Sequence, residues 1–418
     1  MVSEIHVISK RDLSNHETLA IDLPMPKLAT SSIRIRTSLI GITSNNFAYA
    51  KLGDILQWWN TWPVPLNAPA PYNDRDEWGI VPAWGFARVL ESTIDAIPAG
   101  GLLYGYWPTS SHPVDMKLEP AEPKGHFHEI SEHRQGLGSI YNHYNLIDES
   151  AQSDEFRAWF ANVYPVWNGG YVMNRFTYPS EFKPVHPLGH GAGEWTEKDG
   201  DLSSAVVVSL SAASRTARSF TWNLARNRKP TNGPLALIQA TSVPQTLTPG
   251  PEASFEIKAV SYDNLVSQET IDWIARFQPK RVVVADFGGP PKVPEELRES
   301  VKAALPESTI ISSLLVGARP KSMPPNEIQA NMESQKKWDT VQLNTTGVID
   351  AGVAVEGADQ YFQEAASAFE RSLKENIVGD LQLTWGSGIG GANGVEKAWE
   401  GIIQGTLSFN KAWVYRLE

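Results

Sequence analysis

The chain has 418 residues, a formal net charge of −11 and no cysteine. Its length exceeds that of a typical single domain, so two domains are expected, and the lack of cysteine excludes disulfides, a thiol nucleophile and a cysteine-ligated metal. The acidic balance argues against nucleic acids and anionic membranes as partners, because both call for a basic surface. No window reaches the length of a membrane span, and the N-terminus MVSEIHVISKRDL lacks the apolar run of a signal peptide, so we expect a cytoplasmic protein.

The first part of the chain has the pattern of a small β-rich domain. Residues 31–41, SSIRIRTSLIG, alternate apolar with polar side chains, which predicts a strand with one buried face. Residues 84–107 continue with short apolar segments separated by glycine and proline, whereas residues 63–75 have the composition of a surface loop. Together these segments predict a small β-barrel-like domain.

Tryptophan is over-represented: the chain has 15, and six of them precede position 108. Because tryptophan supplies a large, rigid apolar area and one N–H donor, this concentration indicates a cavity for a bulky hydrophobic ligand. An aromatic core is the alternative interpretation. The residues that we assign to a substrate-binding wall are Asn46, Tyr49, Trp58, Trp59, Trp62, Trp84 and Trp167.

Residues 112–145 form a polar segment that holds five of the nine histidines and has no clear periodicity, which is typical of a functional loop or a lid. Histidine and tyrosine side chains can donate a proton to a carbonyl or polarise it, so His133, Tyr141 and Tyr144 are our candidate catalytic residues. The alternative is that His133 and Tyr141 only satisfy backbone groups of the loop.

The same segment places His126, His128 and His133 close to two glutamates, and imidazole with carboxylate is compatible with zinc. His126 and His128 are two positions apart, so they share a face only if the segment is a strand. No cysteine is available, and scattered histidines are typical of a polar loop. We therefore predict no metal site.

The second half of the chain is organised around a strand, a tight turn and a helix at residues 205–217. Three consecutive valines form the strand, Ser214 is suited to cap the helix, and apolar residues then recur at helical spacing. Predicted strands lie at 235–241, 280–287, 308–317 and 408–417, and predicted helices lie at 267–277, 294–305 and 359–377. This alternation predicts a parallel sheet covered by helices on both faces.

The turn at the start of this sheet, SLSAASRT, contains no glycine, although glycines normally let the backbone approach a pyrophosphate. The candidate cofactor-binding residues are Ser211, Ser214, Arg215 and Thr216, because their hydroxyls and guanidinium belong to a helix N-terminus that favours anions. In this interpretation Arg215 favours NADP. In the alternative interpretation, Ser214 only caps the helix and Arg215 is a solvated surface charge.

Several stretches, among them GITSNNFAYAKLGD, HRQGLGSIYNHYN, SLSAASRTA and VVVADFGG, resemble the medium-chain dehydrogenase/reductase superfamily and, within it, the DUF2855 family. The resemblance implies an α/β fold with a GroES-like β-barrel domain at 1–202 and a Rossmann-like doubly wound parallel sheet at 203–350. Residues 351–418 would supply C-terminal helices and strands that pack back on the first domain. The resemblance also implies that the aromatic segments face a cleft between the domains, and it makes a homodimer a reasonable expectation.

Two stretches depart from the family pattern. QATSVPQTL stands where the adenosine ribose of a nucleotide would bind, and VYPVWNGGYVMNRF replaces a more regular stretch, which suggests a remodelled substrate pocket.

These observations favour a non-redox cyclase or isomerase that needs no cofactor and acts on a hydrophobic polyketide- or terpenoid-type molecule, for example by a Diels–Alderase-like cycloaddition. A cavity that holds its substrate folded and polarises a carbonyl can accelerate such a reaction. The alternative is an NADP(H)-dependent medium-chain reductase of enoyl or quinone type that binds phosphate through Arg215, Ser214 and Thr216. A ligand-binding protein without catalysis is the third option.

Overall fold

The computed structural model of the protein describes residues 3–247, 252–316, 340–408 and 410–417. The chain divides into two compact units, Met1–Pro165 with Leu381–Glu418 and Val166–Asp380. This division differs from the predicted domains at 1–202, 203–350 and 351–418. Residues 166–202 and 351–380 belong to the second unit, and only the segment from Leu381 onward returns to the first.

The first unit is built around a closed six-stranded barrel. The strands described in the whole unit, including those outside the barrel, are β1 (Ser3–Ser9), β2 (His16–Ile21), β3 (Ser32–Ile42), β4 (Trp78–Gly79), β5 (Ala83–Ser92), β6 (Leu102–Trp107), β7 (Val114–Ala121), β8 (His126–Glu129), β9 (His143–Ile147), β16 (Gln382–Ser387) and β17 (Lys411–Arg416). The barrel order is β3-β5-β6-β9-β8-β7, and pairing of β3 with β7 closes the ring. Strands β17 and β16 extend the sheet from β3, and a separate sheet has the order β2-β1-β4.

Three α-helices accompany the barrel in the described part of the first unit: α1 (Ser44–Lys51), α2 (Asp154–Asn162) and α11 (Val395–Gln404). Helix α2 approaches β3 closely, because a β-carbon on Gly41 would lie 2.6 Å from the Ala161 carbonyl oxygen. Asn162, at the end of α2, donates its amide to the carbonyls of Ile42 (3.1 Å) and Trp413 (2.8 Å). The helix is thereby tied to two neighbouring strands of the sheet.

Residues 112–145, which we predicted to be a loop or lid, instead supply the barrel strands β7, β8 and β9. In β7 the buried residues Met116 and Leu118 alternate with exposed neighbours. Strands β8 and β9 have only 4 and 5 residues, too few for the period of two to stand out in so polar a segment.

The second unit contains a six-stranded parallel sheet. Its strands are β10 (Ala205–Leu210), β11 (Ala236–Ala240), β12 (Glu256–Val260), β13 (Arg281–Asp286), β14 (Ile310–Leu315) and β15 (Val341–Gln342). Their order, β12-β11-β10-β13-β14-β15, is 3-2-1-4-5-6 when numbered within the unit, which is the doubly wound order. Every residue of β10 is buried, as expected for a central strand covered on both faces.

The α-helices in the described part of this unit are α3 (Tyr164–Val172), which begins just before the boundary, α4 (Glu197–Gly200), α5 (Arg215–Asn227), α6 (Tyr262–Leu265), α7 (Gln268–Ala275), α8 (Val293–Ala304), α9 (Thr345–Glu356) and α10 (Ala358–Lys374). A π-helical turn at Met173–Thr177 continues α3.

The predicted α/β fold, a GroES-like barrel plus a Rossmann-like parallel sheet, is confirmed. The C-terminal Gly317 of the predicted strand at 308–317 lies outside the described residues, as does Phe409 in the predicted strand at 408–417.

Candidate functional site

The turn between β10 and α5 joins the first strand of the parallel sheet to its helix. Ser211 adopts a left-handed backbone (φ 59°), a conformation more usual for glycine. Ser214 caps α5 as predicted, because the Ala217 N–H donates to its hydroxyl at 3.3 Å. A sharp turn followed by a capped helix is therefore formed without a glycine.

Three backbone amides of this turn are already bonded inside the protein. The Ser211 N–H donates to the Tyr262 hydroxyl (3.1 Å), and the Ala212 N–H donates to the Ala240 carbonyl (3.0 Å). The Ser214 N–H donates to the Ser211 carbonyl at 2.8 Å. A phosphate at this position would therefore rely on the first-turn amides of α5 and on side chains rather than on these three N–H groups.

Two arginines at the start of α5 have different environments. Arg218 is buried and forms a two-point ion pair with Asp380 (2.5 and 2.7 Å), while its Nε donates to the Ala213 carbonyl at 2.8 Å. Arg215 is half-buried; burial, reinforced by the charge of Arg218 and opposed by Asp380, lowers its pKa to about 10. Arg215 therefore remains a cation at neutral pH, at the end of the helix that attracts anions.

The stretch VYPVWNGGYVMNRF forms α3 and packs on the first turns of α5. A β-carbon on Gly170 would lie 2.4 Å from the Thr216 carbonyl oxygen and 2.5 Å from the Phe220 nitrogen. A β-carbon on Gly169 would lie 3.3 Å from the Thr216 methyl group and 3.4 Å from the Thr345 hydroxyl. Close helix packing accounts for the two glycines.

Trp167 belongs to this helix and is fully buried in the second unit. Its ring stacks on Tyr171 (5.3 Å between centroids) and meets Phe369 edge-on at 5.4 Å. The prediction places Trp167 in a first domain that extends to residue 202, whereas in the structure it belongs to the second unit, which begins at Val166.

The carboxyl ends of β10 and β13 flank the point where the strand order reverses, which is where doubly wound sheets bind ligands. At the end of β13, one oxygen of Asp286 accepts the N–H groups of Gly288 (2.9 Å) and Gly289 (2.7 Å). After β11, residues 241–247 read TSVPQTL and contain no carboxylate.

Tyr262, whose hydroxyl accepts the Ser211 N–H, follows β12 and is not among the site residues that we predict from the sequence. Its position at the end of a strand is the signal that could have found it.

In the first unit, four of the predicted site residues come together in one cluster: Tyr49, Trp58, Trp84 and Tyr141. The ring of Tyr49 lies 4.8 Å from Trp58, and the Trp84 indole donates to the Tyr49 hydroxyl at 3.0 Å. The ring of Tyr141 lies 5.5 Å from Trp58 and 5.0 Å from Tyr106. Tyr49, Trp58 and Trp84 are buried, whereas Tyr141 is half-buried, and burial raises the pKa of its hydroxyl well above the usual value.

Trp62 and Tyr144 lie in a different cluster, around a buried arginine. The guanidinium of Arg134 lies 4.9 Å from the Trp62 ring centre, and it donates to the Tyr144 hydroxyl and to the Tyr141 carbonyl, both at 2.8 Å. Glu129 is buried beside it at 3.6 Å. Tyr144 also donates to the Tyr106 carbonyl at 3.0 Å, and burial raises its pKa to about 12. Arg134 was missed because a single arginine in a polar stretch gives no sign of burial.

Asn46 and Trp59 have local partners of their own. Asn46 accepts the Thr43 N–H (2.8 Å) at the start of α1 and donates to the Pro82 carbonyl (3.0 Å). Trp59 is buried against Gly53 and Gly79, since a β-carbon on either glycine would lie 2.4 or 2.3 Å from the Trp59 ring. Within the first unit, the predicted wall residues are therefore divided among the cluster around Tyr49, the cluster around Arg134, and the separate surroundings of Asn46 and Trp59.

The histidines of residues 112–145 do not form one cluster: His126, His128 and His143 lie together, whereas His133 does not contact them. His133 is exposed; desolvation lowers its pKa, with further lowering from Arg134 and Arg75 against the opposite effect of Glu129. His126 and His128 share a face of β8, and His143 bridges them at 2.6 and 3.0 Å through different ring nitrogens. In the described ranges, no group of three or more histidine, aspartate or glutamate side chains could hold a metal ion.

The chain is similar to one protein family and to several solved structures. A family model with the description "protein of unknown function (DUF2855)" matches residues 40–408. No curated protein matches the chain. The described residues contain no helix long and apolar enough to cross a membrane.

Several solved structures have the same fold. CurA from Vibrio vulnificus is 11% identical, with a TM-score of 0.52 and coverage of 100% of this chain and 99% of that chain. CurA in complex with NADPH, from the same organism, is 10% identical, with a TM-score of 0.50 and coverage of 99% of each chain. The mitochondrial 2-enoyl thioester reductase Etr1p/Etr2p heterodimer from Candida tropicalis is 11% identical, with a TM-score of 0.53 and coverage of 100% of both chains. The chain thus has the fold of medium-chain dehydrogenase/reductase enzymes.

Proposed function

The chain belongs to the DUF2855 family, and from that premise we propose that it is an NADP(H)-dependent reductase of the medium-chain type. The proposal takes up the reductase alternative rather than the cofactor-independent cyclase that the sequence favoured. Its support from relatives is the fold shared with an enoyl thioester reductase and with CurA, which has been captured with NADPH. We also propose that the protein forms a homodimer.

The observation that carries the proposal is Arg215 at the first turn of α5, next to the reversal point of the sheet. Arg215, Ser214 and Thr216 would hold phosphate oxygens, with the guanidinium supplying charge-assisted hydrogen bonds. The lack of a carboxylate in residues 241–247 favours NADP(H) over NAD(H), because an acidic side chain there would bind the ribose hydroxyl and repel a 2′-phosphate. The bound cofactor supplies a hydride.

On the substrate side, we propose Tyr141 as the group that donates a hydrogen bond to the carbonyl oxygen of an enoyl or quinone acceptor. Burial raises the pKa of its hydroxyl further above the usual value, so the group is protonated at neutral pH and has a proton to donate. Trp58 and Trp84, which pack around it, would contact the apolar part of the substrate. We keep His133 as a proposed hydrogen-bond donor to the substrate, because it is exposed and its lowered pKa leaves the imidazole neutral at neutral pH. The hydroxyl of Tyr144, in contrast, is occupied by Arg134 and Tyr106.

Calorimetric titration with NADPH tests the cofactor proposal. We expect saturable binding that Arg215→Gln weakens by at least about tenfold, the effect of losing a hydrogen bond to a charged group. The matched control is Arg226→Gln, at the last turn of the same helix, where the side chain is 43% exposed and pairs with Glu375. This variant should bind NADPH like the wild type, and NADH should bind more weakly than NADPH to both.

One observation keeps the cyclase as a second candidate. The amides of Ser211, Ala212 and Ser214 are bonded within the protein, so the turn offers a dinucleotide fewer donors than a glycine-rich loop does. If NADPH fails to bind at millimolar concentration and a polyene substrate is cyclised in cofactor-free buffer, the reductase proposal is replaced by this one.

A further inference from the structure

A pocket of about 220 Å³ lies in the first unit beside β3. Strand β7 pairs with residues 32–35 of β3, and β17 pairs with residues 39–42 on the same side, so residues 36–38 lie where the barrel and its extension part. Ser38 and Leu39 line the pocket from this point. Its volume is below the range of about 300–1,000 Å³ that is usual for drug-sized ligands, so the pocket suits a small ion or a single ligand group.

Arginine dominates the lining of this pocket. Three of the ten lining residues, Arg88, Arg157 and Arg416, are arginines, and two, Glu149 and Asp154, are acidic. Arg88 forms a two-point ion pair with Glu149 (2.7 and 3.0 Å), and Asp154 accepts hydrogen bonds from both Arg157 and Arg416. Three guanidinium groups thus share two carboxylates, so the lining carries one excess positive charge in a chain of net charge −11.

Arg416 keeps most of its hydrogen-bonding capacity. Its side chain is 53% exposed, and one of its nitrogens donates to Asp154 at 2.9 Å. A guanidinium has five N–H donors, and no other acceptor for Arg416 lies within the part of the chain that the structure describes. The guanidinium carbon lies 4.3 Å from the centre of the Trp385 ring, which supports one face of the group. Arg416 therefore has several N–H groups that a ligand in the pocket can reach.

Arg36 of β3 has no hydrogen-bond or ion-pair partner among the described residues. The side chain is half-buried, and of its nitrogens only Nε is enclosed by the protein, so the two terminal nitrogens remain accessible. Glu91 and Asp115, the acids that face β3 at position 34, are both bonded to Arg34. Because a cation that is partly removed from water is normally paired, the Arg36 guanidinium points to an anion as its ligand.

Two basic side chains neighbour Arg36. Arg36 lies directly opposite Arg88 in the register of β3 and β5, and like charges at directly opposed positions destabilise a sheet. Arg36 is also close enough to His112 to lower the pKa of that imidazole, although burial has the larger effect. Since Arg88 lines the pocket, an anion bound there would offset the repulsion between the two arginines.

We propose that this pocket binds a phosphate group, whose oxygens accept hydrogen bonds from Arg36 and Arg416 beside the charge of Arg88. Arginine is suited to this role because its planar fork of N–H groups matches the oxygens of a phosphate. The excess charge of the lining and the charge of Arg36 are together balanced by a dianion, but not by a monovalent anion such as chloride. The proposal does not depend on the reductase activity, because these residues belong to the first unit and Arg215 belongs to the second.

Calorimetric titration of the full chain with inorganic phosphate and with phenyl phosphate, at constant ionic strength in sodium chloride, tests the proposal. We expect saturable binding of phosphate with millimolar or tighter affinity. Arg36→Met and Arg416→Met should each weaken it by at least about tenfold, the effect of losing a hydrogen bond to a charged group. Tighter binding of phenyl phosphate would identify a phosphate ester as the source of the group, and the reverse order would identify free phosphate. Absence of saturable binding of both anions overturns the proposal.

Two arginine variants serve as controls. Arg11→Met removes a 79%-exposed arginine of the same unit that pairs with Glu77, and it should bind phosphate like the wild type. Arg215→Gln should also keep this binding, which separates the pocket from the proposed cofactor site. Loss of phosphate binding in Arg215→Gln, or unchanged affinity in Arg36→Met, would place the phosphate elsewhere and overturn the assignment.

Urea denaturation adds a readout that does not depend on the calorimetry. In phosphate-free buffer, Arg36→Met should be at least as stable as the wild type, because the substitution removes the repulsion of Arg88. Phosphate should raise the urea midpoint of the wild type more than that of Arg36→Met. A midpoint of Arg36→Met well below that of the wild type in phosphate-free buffer would show that the charge of Arg36 is already compensated within the protein, and would contradict the proposal.

Discussion

At the scale of single residues, the barrel contains a buried ion pair between Arg134 and Glu129. Both side chains are 1% exposed, and Arg134 also donates to Tyr141 and Tyr144. We expect Arg134→Met to lower the free energy of unfolding by about 3–5 kcal/mol, because it leaves the Glu129 carboxylate buried without its counter-charge. Urea denaturation followed by fluorescence measures the loss.

The double variant Arg134→Met/Glu129→Gln provides the control for this prediction. Removing both charges eliminates the uncompensated carboxylate, so the double variant should be more stable than Arg134→Met alone. A single variant as stable as the wild type would contradict the idea that this pair supports the barrel.

At the scale of secondary-structure elements, the contact between α3 and α5 leaves no room for a side chain at Gly170. We expect Gly170→Ala to destabilise the protein by about 1–3 kcal/mol through overpacking, despite the better helix propensity of alanine, because the nearest atoms are backbone atoms of α5. The measurement is the urea midpoint. NADPH affinity should fall as well if the turn before α5 holds the cofactor.

Gly401→Ala in α11 is the matched control, since a β-carbon there is 3.4 Å from the nearest atom. The gain in helix propensity should leave this variant as stable as the wild type or more stable, by up to about 1 kcal/mol. Stabilisation by Gly170→Ala would show that α3 can move away from α5.

The elements differ in how well the sequence could predict them. Strand β10 and helix α5 were predictable because three valines and a serine cap carry strong local signals. Strands β8 and β9 were not, since strands of 4 and 5 residues in a polar segment carry little periodicity. Strand β7, with the sequence VDMKLEPA, does alternate apolar and polar residues and could have been recognised. The aromatic wall is predicted as one surface, but Trp59 and Trp62 of the first unit pack in separate places, because tryptophan content reports apolar area and not its direction. The role of Arg134 depends on contacts between distant positions, which no local pattern encodes.

At the scale of the whole molecule, two histidines of the first unit link stability to pH. Burial, with a smaller effect of His16 at 3.1 Å, lowers the pKa of His6 to about 3. Burial, together with His126 and His128, lowers the pKa of His143 to about 3. The unfolded value is about 6.5, so between pH 6.5 and 3 the unfolded chain binds protons at these positions that the folded chain does not.

Stability should therefore be complete above about pH 6.5 and fall as the pH is lowered, by about 1.4 kcal/mol per pH unit for each of the two histidines. Urea midpoints measured from pH 7.5 to pH 4.5 give the slope. His6→Gln should reduce the slope by the share of one histidine, because glutamine does not titrate. An unchanged slope in His6→Gln would mean that His6 takes up its proton in the folded state, where His16 and the aromatic ring of Trp399 would then have to accommodate a buried cation.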